Sequence, residues 1–292
     1  MRIRDHLFPT SASEAIDMLL IEDGKARLIA GGTDLILEIR DHANSFEALV
    51  DVSRIPGLDR IHSDGERIQL GPLVTMTQVE ESRLLKHHAT ALWEACSWVG
   101  GPQIRNRATL AGNIVSAQPA ADGAIALVAL DARLKILGFQ GERDLMLSNS
   151  YVGVGRSAID ASREMITCIE FEAQHQGEAS AFRRMAIRKA LALPQLNCAV
   201  WIASSAGYCA DARIAVGPVA TMPFRARQAE TYLIGKLLND ETISTCAAVV
   251  QKEVQPRDSV LRGSGLYRKE MAEALARETI KLAISRLEGS LA

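Results

Sequence analysis

A short apolar segment that runs into paired glycines constrains the fold of this chain most strongly. Residues 28–35 read Leu-Ile-Ala-Gly-Gly-Thr-Asp-Leu, which predicts a buried strand over residues 27–30 that ends in a tight turn. Because glycine accepts positive φ, Gly31 and Gly32 allow successive backbone N–H groups to point towards one anion. Taken alone, such a turn is more often an ordinary connection between a strand and a helix.

A second unusual segment covers residues 109–122, which read TLAGNIVSAQPAAD. It is too long and too apolar for a plain surface turn, and its small residues leave room for a bulky group beside the backbone. Polar side chains recur along it and suit a phosphate or polyhydroxyl chain: Thr109, Asn113, Ser116 and Asp122. A packed loop whose polar residues bond to its own backbone explains the pattern equally well. We interpret residues 109–122 as a loop, within a long stretch from Ile104 to Asp122 that contains glycine and alanine.

Hydrophobic periodicity predicts the remaining elements. In the first two thirds of the chain we expect a helix capped by Ser11, strands at 48–52 and 67–70, and two helices between 77 and 99. A helix followed by a strand is expected within 124–137, and further strands at 164–171 and 179–185. The last third predicts antiparallel strands at 197–204 and 212–216, then helices at 227–238, 240–250 and 267–287. Strands followed by helices indicate an α+β module. We place a domain boundary in the polar stretch at 174–177, giving domains 1–175 and 176–292.

Composition excludes several classes of function. The 292 residues include 33 basic and 35 acidic side chains, so a global attraction to nucleic acid or anionic membrane is absent. No apolar run reaches the roughly 20 residues that cross a bilayer, and the N-terminus lacks the apolar core of a signal peptide. The five cysteines are scattered, which argues against a metal or iron-sulfur site built by this chain alone. We expect a cytoplasmic protein.

Together the two segments resemble a known family. The AGGTDL turn at 30–35, followed by RNRATLAGNIVSAQPAAD at 105–122, is similar to the FAD-binding domain of molybdenum hydroxylase flavoproteins. That family includes the medium subunits of carbon monoxide dehydrogenase and the flavin segment of xanthine dehydrogenase. ARIAVGPVA at 212–220, PFRA at 223–226 and GLYRK at 265–269 resemble its C-terminal domain. Gln118 departs from the pattern, since many relatives carry serine there.

The resemblance implies an α+β fold and a set of cofactor contacts. The expected architecture is a two-part FAD-binding domain of the vanillyl-alcohol-oxidase/PCMH type, with subdomains at about 1–58 and 59–175, and a smaller α+β C-terminal domain. In the family the first loop wraps the FAD pyrophosphate, and the second brackets the diphosphate and ribityl region. The implied contacts are Ile29, Ala30, Gly31, Gly32, Thr33, Asp34, Leu35, Thr109, Gly112, Asn113, Val115, Ser116 and Asp122, with Ile166 and Arg183 from looser motifs.

The implied function is electron transfer without a catalytic side chain or a metal on this chain. FAD would be held non-covalently, because residues 31–33 contain no histidine or cysteine. Electrons would pass from 2Fe-2S clusters on a small subunit to FAD, and then to NAD⁺, a quinone or oxygen. A large subunit would carry molybdopterin and oxidise the organic substrate, in a heterotrimer or its dimer.

Two other interpretations stay open, a stand-alone FAD-dependent oxidoreductase acting on a small molecule and a structural module without cofactor. The intact glycines and Asn113 argue against the second. A basic cluster, Arg183-Arg184 with Arg188-Lys189, is compatible with contacts to FAD phosphates or to a partner, although solvated charge is the default.

Overall fold

The computed structural model describes residues 3–41, 46–188 and 191–289, so Lys189 of the basic cluster lies outside the described residues. The strands are β1 Asp5–Leu7, β2 Ala26–Ile29, β3 Ala48–Asp51, β4 Ile61–Ser63, β5 Arg67–Leu70, β6 Arg133–Gly138, β7 Gly141–Met146, β8 Tyr151–Gly153, β9 Arg156–Ser157, β10 Glu164–Glu172, β11 Glu178–Met185, β12 Leu196–Ser205, β13 Tyr208–Gly217 and β14 Phe224–Arg225. The helices are α1 Ala12–Ile21, α2 Leu35–Arg40, α3 Met76–Glu81, α4 Arg83–His88, α5 Thr90–Ser97, α6 Pro102–Arg105, α7 Leu110–Val115, α8 Asp122–Ala129, α9 Arg227–Leu233, α10 Asp240–Glu253 and α11 Gly265–Gly289, with a 3-10 turn at Leu147–Asn149.

The N-terminal part is a small parallel sheet with strand order β1-β3-β2. Helix α1 begins where the sequence predicts it, because the Ser11 hydroxyl accepts a hydrogen bond from the Glu14 N–H at 3.1 Å. Its Ala15, Ile16 and Leu19 are buried. Strand β2 leads directly into the paired glycines, which places them at the carboxyl edge of this sheet.

The middle part is a five-stranded antiparallel sheet, β4-β5-β10-β6-β7, with helices α3 to α8. Helix α8 is buried along its whole length, which explains its continuous apolar sequence. Two predictions were wrong here. Three short helices occupy residues 76–97 instead of two, because Ser82 ends α3 and also caps α4. The predicted loop at 109–122 is not irregular throughout, since it contains all of α7.

The C-terminal part is a four-stranded antiparallel sheet, β11-β12-β13-β14, covered by helices on both faces. Phe182 and Trp201 pack into the core of the middle part, whereas Ala181 and Val200 pack with α10 and α11 in a second core. Because side chains alternate along a strand, neighbouring residues of β11 point to different domains. The predicted α+β class is confirmed by these mixed layers.

Ion pairs fix the C-terminal sheet and helices to the middle part. Arg184 on β11 donates to Asp122 at 2.8 Å, and Arg286 on α11 donates to Glu94 on α5 at 3.1 Å. Both pairs are largely buried, so they hold the relative position of the two layers.

Two other features are absent from the described part of the chain. No helix in the described part of the chain combines the length and apolar character that a membrane crossing requires. Residues 3–41, 46–188 and 191–289 also contain no group of three or more side chains placed to hold a metal ion.

Candidate functional site

A cleft with a volume of about 570 Å³ lies where the three parts of the structure meet. The N-terminal sheet contributes residues 27–35, the middle part contributes residues between Trp98 and Asp122, and the C-terminal part contributes Arg184, residues 192–194 and Arg262. This volume falls in the range of small-molecule and cofactor sites. The two segments that the sequence singled out therefore line one cleft.

Gly31 packs against the backbone of residues 107–108, just before the second segment. A Cβ atom at Gly31 would lie 1.8 Å from the carbonyl oxygen of Arg107, far inside any normal contact. The next residue, Gly32, has φ of +72°, a conformation that other residues rarely adopt. Each glycine is thus required for a different reason, Gly31 for close approach and Gly32 for the turn itself.

The loop at residues 31–35, which ends the first segment, carries a run of unused backbone donors. Among the described residues, none accepts a hydrogen bond from the backbone N–H groups of residues 31–35. All five residues line the cleft. Since buried or half-buried N–H groups are normally paired, this run fits a ligand that supplies several acceptor oxygens, such as a pyrophosphate.

The second segment is ordered by its own side chains. Thr109 caps α7, its hydroxyl accepting a hydrogen bond from the Gly112 N–H at 3.1 Å. The Ser116 hydroxyl donates to the Asn113 carbonyl at 3.0 Å. The side-chain oxygen of Asn113 is buried and has no hydrogen-bond partner among the described residues, and it lies 3.1 Å from where a Cβ of Gly123 would be.

The structure brings thirteen of the fifteen sequence-predicted contacts into this cleft. They are Ile29, Ala30, Gly31, Gly32, Thr33, Asp34, Leu35, Thr109, Gly112, Asn113, Val115, Ser116 and Asp122. Partial burial raises the pKa of Asp34, because desolvation disfavours the ionised form of its carboxyl group.

Ile166 and Arg183 lie outside the cleft. Ile166 is buried in β10 within the core of the middle part. Arg183 is half exposed and its guanidinium lies 3.4 Å from Glu94. Alternation along β11 explains the second case, because it turns Arg183 away from the cleft and Arg184 towards it.

Asp122 and Arg184 form a buried ion pair at the cleft. The carboxylate accepts from the Arg184 guanidinium at 2.8 Å and from the Asn197 side-chain amide at 2.7 Å. Burial raises the pKa of Asp122 to about 6, although both partners favour the ionised form. Arg184 was recognised in the sequence only as part of a basic cluster.

Other residues that line the cleft had no sequence signal of their own. They come from separate parts of the chain that the tertiary fold brings together: Trp98, Ile104, Leu193, Pro194 and Arg262. The first four are apolar and line the same cleft as the unused amides, whereas Arg262 adds a positive charge. The cleft thus has a polar backbone-lined region beside apolar surfaces, which fits a cofactor with a pyrophosphate and a flat ring system.

Comparison with known proteins identifies the cofactor and the family. Residues 2–171 match the model of the FAD-binding domain in molybdopterin dehydrogenase, and residues 180–283 match that of the carbon monoxide dehydrogenase flavoprotein C-terminal domain. The chain is 32% identical over 286 residues to the nicotinate dehydrogenase FAD-subunit of Eubacterium barkeri, covering 96% of each chain. It is 30% identical to the xanthine dehydrogenase FAD-binding subunit of Escherichia coli O157:H7, covering 94% of each.

Solved structures agree with these matches. A chain of carbon monoxide dehydrogenase from Hydrogenophaga pseudoflava superposes with a TM-score of 0.92 at 27% identity, covering 98% of both chains. Quinoline 2-oxidoreductase from Pseudomonas putida 86 gives a TM-score of 0.89 at 25% identity, covering 99% of this chain and 98% of that one. The chain therefore belongs to the family of FAD-binding medium subunits of the carbon monoxide and xanthine dehydrogenases, and it is an oxidoreductase subunit.

Proposed function

We propose that this chain relays electrons from the 2Fe-2S clusters of a small partner subunit to an external acceptor. A large subunit with molybdopterin oxidises the organic substrate, and the three subunits form a heterotrimer or its dimer. The observation that carries the proposal is the run of unpaired amides at residues 31–35 facing the same cleft as the second segment. Bound FAD supplies the redox chemistry, and the protein supplies its position and electrostatic surroundings.

The residues of the cleft have binding roles in this proposal. The amides of residues 31–35 hold the pyrophosphate, and Gly31 lets that loop lie against the backbone of residues 107–108, just before the second segment. Thr109 and Ser116 fix the backbone of the second segment beside the cofactor.

We further propose that FAD is held non-covalently and that the complex works in the cytoplasm. The first loop offers no nucleophilic ring nitrogen or thiol for attachment. All five cysteines are unpaired, which fits a reducing compartment. Acid precipitation should release the flavin into the supernatant, and flavin that stays on the precipitated chain contradicts the first part.

The test is electron transfer in the purified complex with and without FAD. The chain is expressed with its neighbouring subunits, and the clusters are reduced anaerobically with a stoichiometric amount of dithionite. NAD⁺, a quinone or oxygen is then added, and cluster reoxidation is followed by absorbance. We expect reoxidation by at least one acceptor in the loaded complex and strong slowing after removal of FAD.

A matched pair of variants supplies the control. Gly31→Ala should give a flavin-depleted complex with slow reoxidation, whereas Gly153→Ala places a Cβ in ordinary contact outside the cleft and should behave as wild type. Equal reoxidation with and without FAD overturns the relay. Turnover of a small molecule by the isolated FAD-loaded chain, without partners or clusters, supports the stand-alone oxidoreductase instead.

A further inference from the structure

The Arg184 side chain connects three separate segments of the cleft wall. One guanidinium nitrogen, Nη1, donates to Asp122 Oδ2 at 2.8 Å and to the Trp98 carbonyl at 3.1 Å. The other, Nη2, donates to the Ala192 carbonyl. Only 4% of the side chain is exposed, so these bonds form in a poorly solvated place where they are strong.

The segments that Arg184 connects supply the apolar part of the cleft. Trp98 lines the cleft, and its ring lies 5.4 Å from the Arg184 guanidinium. Leu193 and Pro194 follow Ala192 directly and also line it. Loss of the guanidinium would leave two carbonyl oxygens and a carboxylate without this donor, so these walls would have to rearrange.

Asp122 is oriented towards the protein by two donors. Its Oδ1 accepts from Asn197 at 2.7 Å and its Oδ2 accepts from Arg184, while 5% of the residue is exposed. A carboxylate engaged at both oxygens is better placed to anchor a guanidinium than to bind a ligand. This pair lies at the opposite end of the second segment from Gly31. Gly31 contacts Arg107, which precedes the segment, whereas Arg184 pairs with Asp122, which is the last residue of the segment.

We propose that Arg184, anchored by Asp122, is a positioning residue that shapes the apolar end of the cleft around FAD, and that Asp122 acts on the cofactor through Arg184. The inference rests on the proposed cofactor site and assigns roles that resemblance to the family did not. Arg184 holds Trp98 and the segment beginning at Ala192 in place, and the bound cofactor leaves slowly because both walls are fixed.

Protonation of Asp122 is expected to weaken this arrangement. The titratable groups that interact with its carboxyl are Arg184 from β11 and Cys96 from α5, while Asn197 from β12 is neutral. Burial raises the pKa of the Cys96 thiol, which therefore stays uncharged and does not compete. Asp122 itself has its pKa raised to about 6, so the ion pair is complete above that pH and is lost below it.

The experiment measures the rate of FAD release from the full chain, purified with whatever partner subunits accompany it. Release is followed by the fluorescence of free FAD after dilution, at several pH values between about 5 and 8. We expect wild-type release to accelerate as the pH falls through about 6. Asp122→Asn and Arg184→Met should each release FAD at least about tenfold faster at pH 8, without the pH step.

The double variant decides between a positioning role and direct contact. If Asp122 acts through Arg184, then Asp122→Asn combined with Arg184→Met releases FAD no faster than either single variant. If Asp122 binds FAD itself, the two effects multiply, and the inference is overturned. Arg184→Lys keeps the charge but lacks the planar fork, so fast release by this variant supports the inference even if Asp122→Asn fails to fold.

The control variant is Glu94→Gln, which weakens the contacts of Glu94 with Arg286, Arg183 and the Phe182 N–H between the same two domains but away from the cleft. It should keep the wild-type release rate and the wild-type pH step. The same acceleration in Glu94→Gln would show that general loosening of the domain contact is responsible, and would overturn the positioning role. A wild-type chain that never retains FAD would refute the proposed function itself. If the chain does retain FAD but the two substitutions increase its release rate multiplicatively, only this inference is refuted.

Discussion

The sharpest prediction concerns replacement of Gly31 by alanine. The added Cβ would lie 1.8 Å from the Arg107 carbonyl oxygen, whereas real Cβ contacts are essentially never shorter than 3.0 Å, so the two backbones must separate by about 1.2 Å. Neither backbone atom can rotate away as a side-chain tip would. In the proposed binding mode, the amides of residues 31–35 would then no longer face the pyrophosphate while the second segment holds the remainder of FAD.

The expected loss follows from the hydrogen bonds affected. Each bond to a charged acceptor contributes about 1.5–3 kcal/mol, so displacement of one or two amides should cost about 2–4 kcal/mol of binding free energy. At about 1.4 kcal/mol per tenfold change, FAD should bind roughly 30- to 1,000-fold more weakly. Strain against Arg107 should also lower the free energy of unfolding of the apoprotein by about 1–3 kcal/mol.

The assay is titration of apoprotein with FAD, followed by quenching of flavin fluorescence, alongside urea unfolding of the same samples. Gly153→Ala is the matched control, since its Cβ would meet only ordinary contacts with Arg156. A folded Gly31→Ala protein that binds FAD as tightly as Gly153→Ala and the wild type would refute the reasoning, because the loop contact would then be irrelevant to the cofactor.

Three further predictions concern stability. Arg225→Met should lower the free energy of unfolding by about 3 kcal/mol, because it removes the buried cation paired with Glu230 and leaves that carboxylate only the Ile214 N–H and the exposed Arg227; an unchanged urea midpoint would contradict this. Gly217→Ala should cost about 1–3 kcal/mol in the same assay, since its Cβ would lie 2.6 Å from Ile125 Cδ1 and 2.7 Å from the Pro119 carbonyl oxygen, and wild-type stability would show that these neighbours move freely. Removal of FAD should lower the melting temperature by several degrees, since free FAD at 100 times its Kd stabilises the native state by about 2.7 kcal/mol; identical melting curves with and without FAD would argue against binding to the native chain.

Much of the site was predictable because it consists largely of main-chain groups, whose geometry depends on local residue types. Gly31 and Gly32 predict a turn because they lack side chains, and the small residues of the second segment indicate room beside the main chain. Local signals of this kind need no knowledge of distant contacts. They also explain why the Ser11 cap and strand β5 agree with the sequence prediction.

Short helices were less predictable than strands. Residues 104–122 contain glycine and polar residues that weaken helix propensity, yet Thr109 caps α7 and the surrounding core stabilises it. A six-residue helix has little stability of its own, so only packing against the rest of the middle part decides that it forms.

Local sequence patterns are enough to identify the two glycine-bearing segments and an α+β second domain, because turn geometry and hydrophobic period are local properties. That Arg184 faces the cleft, and its neighbour Arg183 does not, depends on how the sheet packs against the middle part. Side chains alternate along β11 whichever face of the strand is turned towards the middle part. Burial of Phe182 and Trp201 in the core of the middle part determines which face that is. The pairing of Asp122 with Arg184 across two domains follows from that same choice of face.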